Sequence, residues 1–327
     1  MGSAPYSSRN ESNVAIWSAL AGNVAVAAAK FVAAALTGSA AMASEAVHSL
    51  VDTINELLLL YGISRSTRAA DAQHPLGYAR EVYFWSFVVA LLIFTMGAGV
   101  SAYEGIHRLA HPQPIDEPLV IFIVLGLCLL FEGASWVVGV RAFRAASGGL
   151  TWWQAFRRSK NPPVFIVVFE DSAALLGILV AAAGTTATIV TGDGRWDGIA
   201  SLVIAVILTG VALLLAQESK GLLIGERADP QLASAIMRIA AQMPGVCSAN
   251  SIATVQLAPA NVVATLSLDF FDYMRAPDME RAVMQLEDKI RSEHPEVSAM
   301  FVKPQSVTAA HRSSAGIMTP DDVLSGG

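Results

Sequence analysis

Residues 41–63 read AMASEAVHSLVDTINELLLLYGI, long enough to carry a helix across a bilayer core about 30 Å thick. A helix facing lipid on all sides would be apolar throughout, yet this stretch places Glu45, His48, Asp52 and Asn55 at spacings of three, four and three. Those spacings put all four side chains on one stripe of a helix. Ionisable groups in hydrocarbon are costly and face a cavity or one another. The stretch therefore predicts a membrane helix whose polar seam looks into a bundle.

Five more apolar stretches of similar length flank it: Val14–Leu36, Tyr83–Ser101, Leu119–Val140, Val164–Ile189 and Ile199–Ala216. Composition agrees, with 54% hydrophobic and 15% charged residues among 327, an excess of apolar surface over that of soluble domains. The net charge of −6 and the lack of a basic, aromatic-interleaved run exclude a nucleic-acid partner. Cys128 and Cys247, in unlike surroundings, form no disulfide framework or CxxC knuckle. The polar opening through Ser12 predicts no cleavable signal peptide. Arg9, Arg65, Arg68, Arg80, Arg141, Arg144, Arg157, Arg158 and Lys160 fall on one side of the six stretches, Arg108 and Arg195 on the other. By the positive-inside rule both termini are cytoplasmic.

The expected organisation is a cytoplasmic segment 1–12, an all-α six-helix transmembrane bundle over 13–221, a cytoplasmic domain over 222–305 and a disordered tail over 306–327. In the third part, Asp229–Met243 and Asp278–Glu293 have helical periodicity, and Ser251–Leu257, Val262–Phe271 and Ala299–Val302 read as strands. Asp229 followed by Pro230 marks a helix start. The order αββαβ suits one sheet with helices on one face, an α+β domain small enough to want a partner copy. A homodimer through this domain is expected.

Within the seam, His48 and Asp52 bring an imidazole and a carboxylate to one point, an arrangement that a borderline-soft divalent cation accepts. A helix–helix hydrogen-bonded pair is the alternative. Rise per residue places Asp52 about 14 Å above the inner edge of the hydrocarbon core and Asp171, from the fifth stretch, about 10 Å above it, so they share a layer. Glu132 comes out at about the same height as Asp171. Glu170 stands about 100° around its helix from Asp171, so the two do not point squarely at one ion. Lys30 and Glu45 lie nearly equidistant from the turn at Gly38, which favours a structural ion pair between them, with Glu45 as a metal ligand the alternative.

The run Ala46-Val47-His48-Ser49-Leu50-Val51-Asp52-Thr53-Ile54-Asn55, with His74-Pro75-Leu76-Gly77-Tyr78-Ala79-Arg80-Glu81, Asp171-Ser172-Ala173 and Asp197-Gly198-Ile199-Ala200-Ser201, resembles the cation diffusion facilitator family. The resemblance covers nearly the whole chain and extends to the C-terminal domain, ferredoxin-like in that family. It implies a homodimeric exporter of zinc, iron, manganese, cobalt or cadmium by proton antiport. Carried over by position, the family's ligands fall on His48, Asp52 and Asp171. The fourth, usually His or Asp, falls on Val167, which cannot bind metal; Glu170, Glu132 or a water completes the site. Glu170-Asp171-Ser172 also resembles one branch of zinc transporters, found in bacteria and eukaryotic organelles. Two family features are missing: the 141–163 loop has no histidine tract, and His294 is the only histidine of the C-terminal domain before the tail. Tyr78 stands where a second histidine would join His74 in a loop site, and Asp269 and Asp272 read as a solvated rim.

The resulting expectation is a secondary active metal/proton antiporter with Zn2+ as cargo, Co2+, Ni2+, Mn2+ or Fe2+ being the alternatives, and metal ligands His48, Asp52, Asp171 and Glu170. Its other partners are protons, the lipid bilayer and a second copy of the chain, in the inner membrane of a bacterium. An intramembrane diacid enzyme and a metal-sensing scaffold are the rival readings.

Overall fold

In the computed structural model, residues 23–112, 118–146 and 151–313 are described. The predicted segment 1–12 and the start of the first apolar stretch lie outside them. The chain forms two compact units, one of residues through Arg65 with Glu81–Lys220, the other of Ser66–Arg80 with Gly221 onward.

The first unit is helical: α1 Asn23–Thr37, α2 Ala40–Ser66, α3 Glu81–Ala110, α4 Pro118–Ala146, α5 Trp152–Arg158, α6 Pro162–Thr191 and α7 Arg195–Ile224. Four of these, α3, α4, α6 and α7, are long and apolar enough to cross a membrane, and α2, at 27 residues, carries the polar seam. Local chemistry sets the ends. Pro162 and Pro163 open α6, where the missing N–H is not needed, and Gly192 closes it in the left-handed region at φ 73°. The short α5 lies in what the sequence reads as a connecting loop; a capping box between Thr151 and Gln154 starts it. One π-turn, Ile93–Ala98, interrupts α3. Val51, Ile93, Ile166, Ile178, Ile204 and Leu215 are buried at the centre. Leu130, Val190 and Val206 point outward and are more than two-thirds exposed, an apolar exterior that suits lipid.

The start of α2 is fixed from a distance. Asp197, fully buried in the first turn of α7, accepts from Ser39 Oγ (2.6 Å), Ala40 N (2.6 Å) and Ala41 N (3.3 Å), and its Oδ2 lies 3.6 Å from Arg108 Nε of α3. A carboxylate at a helix N-terminus satisfies orphan N–H groups and meets the positive end of the helix dipole. Close by, Gly105 and Gly198 bring α3 and α7 together, since a Cβ on either would stand 2.9–3.0 Å from the other's carbonyl oxygen. One buried carboxylate thus ties three helices.

In the second unit, α8 Pro230–Ala241 precedes β1 Val246–Ala258 and β2 Asn261–Phe270, and α9 Ala276–Glu293 leads to β3 Val297–Pro304. The sheet order is β1-β2-β3, antiparallel then parallel. Asp229 caps α8 as expected, accepting from Gln231 N at 2.7 Å. Ile236, Ile252, Leu266, Leu286 and Ile290 form the core between helices and sheet. Ser66–Arg80, assigned by sequence to the membrane domain, groups here, and a Cβ at Gly225 would come within 3.1 Å of Arg80 Nη2. The tail differs from expectation at its start, because Val307–Ser313 forms α10. Gln305 N donates to Leu268 O (2.8 Å) and Val307 N to Asp269 Oδ2 (3.3 Å), which extends order past β3. The rest of the predicted tail, 314–327, lies outside the described residues.

Asp197→Ala is expected to destabilise the helical unit by about 2–4 kcal/mol, since it leaves the Ser39 hydroxyl and the Ala40 and Ala41 N–H groups unpaired in a buried place. Thermal unfolding of detergent-purified protein checks this; an unchanged midpoint would show the cap to be dispensable.

Candidate metal site

The seam of α2 folds as its spacing dictates, with Glu45, His48 and Asn55 buried on one face. At its upper end Lys30 Nζ, 0% exposed, meets Glu45 Oε2 at 3.2 Å, the pair predicted from the turn at Gly38. The same ammonium donates to Ser49 Oγ (2.7 Å) and approaches Glu132 Oε1 of α4 (3.6 Å).

One turn lower, His48 is 1% exposed and Asp52 19% exposed. His48 Nδ1 lies 3.2 Å from Asp52 Oδ1, but without hydrogen-bond alignment, and both ring nitrogens of His48 and Asp52 Oδ1 remain buried without a hydrogen-bond partner. Buried polar atoms are nearly always satisfied, and each left unpaired costs about 1–3 kcal/mol. Asn55 Nδ2 donates to Glu170 Oε1 at 2.6 Å, which draws the carboxylate of α6 to α2. Asp171, its neighbour, turns to α4 and accepts from Ser135 Oγ at 2.9 Å.

Asp52, Glu56, Glu132, Glu170 and Asp171 all line one cavity of about 660 Å³, together with Ser49, Ser135 and Val167. The adjacent Glu170 and Asp171 therefore both reach it, despite their angular separation. Among the described residues no three His, Cys, Asp or Glu side chains stand in a finished metal cluster. The structure brings His48 to Asp52 and Glu170 to Asn55 and Asp52, and turns Asp171 to Ser135; Asp52, Glu170 and Asp171 line the cavity, whereas His48 is not among its lining residues.

Residues 16–224 match the cation efflux transmembrane domain. The chain belongs to the cation diffusion facilitator family. Among similar proteins, the human proton-coupled zinc antiporter SLC30A9, mitochondrial, is 32% identical over 267 residues, 79% of this chain and 47% of that protein. Its Xenopus laevis counterpart is 35% identical over 243 residues, 74% of this chain and 44% of the relative. Metal tolerance protein C4 of Arabidopsis thaliana is 35% identical over 226 residues, 68% of this chain and 50% of the relative. The chain spans about half the length of these relatives. Membership in a family of cation transporters, with four membrane-length apolar helices, makes this a multi-pass membrane protein and sets the intramembrane enzyme aside.

Within this cation diffusion facilitator chain, Val167 faces the cavity, so an apolar wall stands where the family resemblance places a fourth ligand. Glu132, equally high by rise arithmetic, is engaged by Lys30. Sequence reasoning missed two groups. Glu56 lines the cavity and accepts from Asn23 Nδ2 at 2.8 Å; its signal was the i+4 step from Asp52. Asp197 capping α2 left no such signal.

In the 66–80 segment His74 does not gather a second imidazole. Asp71 Oδ1 accepts from Gln73 N (2.9 Å) and His74 N (2.8 Å) and lies 3.3 Å from His74 Nδ1, while Tyr78 OH donates to Asp71 Oδ2 (2.6 Å). The Tyr78 hydroxyl, then the His74 N–H, hold the Asp71 carboxyl down at about 2. A carboxylate depressed in the folded state favours that fold above its unfolded value near 3.9 and ceases to as pH falls through its folded value. Tyr78→Phe is expected to raise the Asp71 titration toward 3.9 and so move the acid loosening of this loop to higher pH. Carboxyl carbon NMR against pH measures it; an unmoved titration would remove Tyr78 as the cause.

Proposed function

We propose that this protein exports a divalent transition metal, zinc foremost, in exchange for protons, with His48, Asp52 and Asp171 as ligands and Glu170 as the fourth. One observation carries the reading: a buried imidazole of α2, both of its ring nitrogens unsatisfied, lies 3.2 Å from the Asp52 carboxylate, which lines a cavity walled by acids. Such groups stay polar and unpaired in a membrane bundle when a ligand completes them. An imidazole among carboxylates suits zinc better than a hard cation. Zinc and proton coupling also appear in the names of the vertebrate relatives.

Glu170 is preferred over Glu132 because it sits beside Asn55 on the seam, whereas Lys30 already engages Glu132. Cation and protons compete for the same lone pairs, and that competition is the coupling. Deprotonated ligands take the metal on the cytoplasmic side; protonation from the outer side displaces it. Histidine suits the exchange because its ordinary pKa of about 6.5 lies near working pH.

The proposed frame is six crossings, with α1 and α2 added to the four apolar helices, both termini cytoplasmic and a C-terminal ferredoxin-like domain that pairs two copies. The αββαβ order and mixed sheet support that domain. A bacterial inner membrane was the expected residence; the vertebrate relatives are named mitochondrial and lend it no support.

In sealed proteoliposomes, Asp52→Ala and Asp171→Ala are expected to abolish zinc flux while leaving the protein folded; near-normal flux would sink the ligand set. His48→Asp, which makes the shell all-oxygen, shifts preference toward manganese, and an unchanged selectivity series would remove His48 from the shell. Flux follows an inward proton gradient and slows when the outer side is alkaline; dependence on voltage alone would refute antiport. Glu170→Gln loses zinc affinity by about tenfold, on the order of 1.4 kcal/mol, with Glu132→Gln nearly unchanged. The reverse order would exchange their roles.

A further inference from the structure

We propose that Lys30 is a resident counter-cation of the cavity, which holds Glu132 away from the cargo and weakens divalent-cation binding enough for release. The inference rests on the cargo site proposed above. It starts from an excess. One carboxylate suffices to balance a buried ammonium, and Glu45 already lies 3.2 Å from Lys30. A second acid, Glu132, comes from a different helix to 3.6 Å.

The two acids differ in what else can reach them. Glu45 is fully buried and packed against Gly177, where a Cβ would clash with its Oε1, and it does not line the cavity. Glu132 is 16% exposed and lines the cavity, as does Ser49, the third partner of Lys30. Lys30 thus stands between a structural carboxylate behind it and a cavity carboxylate in front.

The remaining lining explains why a counter-cation is needed. Asp52, Glu56, Glu132, Glu170 and Asp171 supply five acids, and no Lys or Arg stands among the lining residues described. A transport site must bind well enough to load and weakly enough to unload. Coulomb energy scales with the charge of the ion, so the potential of a fixed ammonium acts twice as strongly on a divalent cation as on a proton. Lys30 therefore opposes a divalent cation in the cavity directly, beyond merely engaging Glu132.

A purely structural lysine predicts the opposite sign, because removing it would loosen the bundle and weaken cargo binding. The test is the zinc Kd of detergent-purified full-length protein, by competition with a fluorescent chelator, paired with flux in proteoliposomes. Lys30→Met with Glu45→Gln, which spares Glu45 an unpaired charge, is expected to bind zinc about tenfold tighter and to turn over more slowly. Lys30→Arg keeps the charge and stays near wild type, and adding Glu132→Gln to the double variant returns the Kd toward wild type. A double variant that binds zinc no tighter, or fails to fold, overturns the proposal in favour of a structural lysine. Wild-type protein that binds no zinc overturns the cargo site instead.

Discussion

Local charge balance in a low-dielectric bundle is the constraint on which this molecule depends. Lys30, Glu45 and Glu132 are held by α1, α2 and α4, and the ammonium between the two acids fixes how those helices face one another. An isolated charge at this depth would be untenable. Placing each acid where a cation, a donor or a cavity receives it decides which faces of α2, α4 and α6 turn inward. The cavity gathers the acids of α2, α4 and α6 on its lining.

The same constraint separates rigid from responsive parts. Asp197 is fully satisfied by Ser39, Ala40, Ala41 and Arg108, and it acts as a structural clamp on the start of α2. Down that helix, satisfaction falls off, until both ring nitrogens of His48 and Asp52 Oδ1 lack aligned partners. A helix anchored at one end and chemically open at its middle is suited to present ligands to a passing ion without itself moving far.

Much of this was legible in the residues. Apolar length marked α2, α3, α4, α6 and α7, and the 3-4-3 spacing from Glu45 to Asn55 set the seam on one face. Equal distance from Gly38 gave the Lys30–Glu45 pair, because an antiparallel turn fixes which positions are level. What stayed hidden depends on contacts between distant segments. Asp197 caps a helix 157 positions away, and no local pattern marks which N-terminus a carboxylate will meet. Glu132 was placed at the right height, yet height alone does not say that Lys30 would engage it. The Gly and Pro residues that mark the tail stand toward its end, at Gly316, Pro320, Gly326 and Gly327, whereas at its start Gln305 and Val307 hydrogen-bond back to β2 and α10 begins.

The central claim is that one imidazole, His48, binds the cargo among carboxylates. Zinc-edge X-ray absorption on the full-length protein, loaded with no more than one equivalent, tests it most directly. The account predicts a shell of nitrogen and oxygen at about 2.0–2.2 Å, with outer-shell scattering from a single imidazole that disappears in His48→Asn. An imidazole signal that persists in that variant, or sulfur in the wild-type shell, would contradict it.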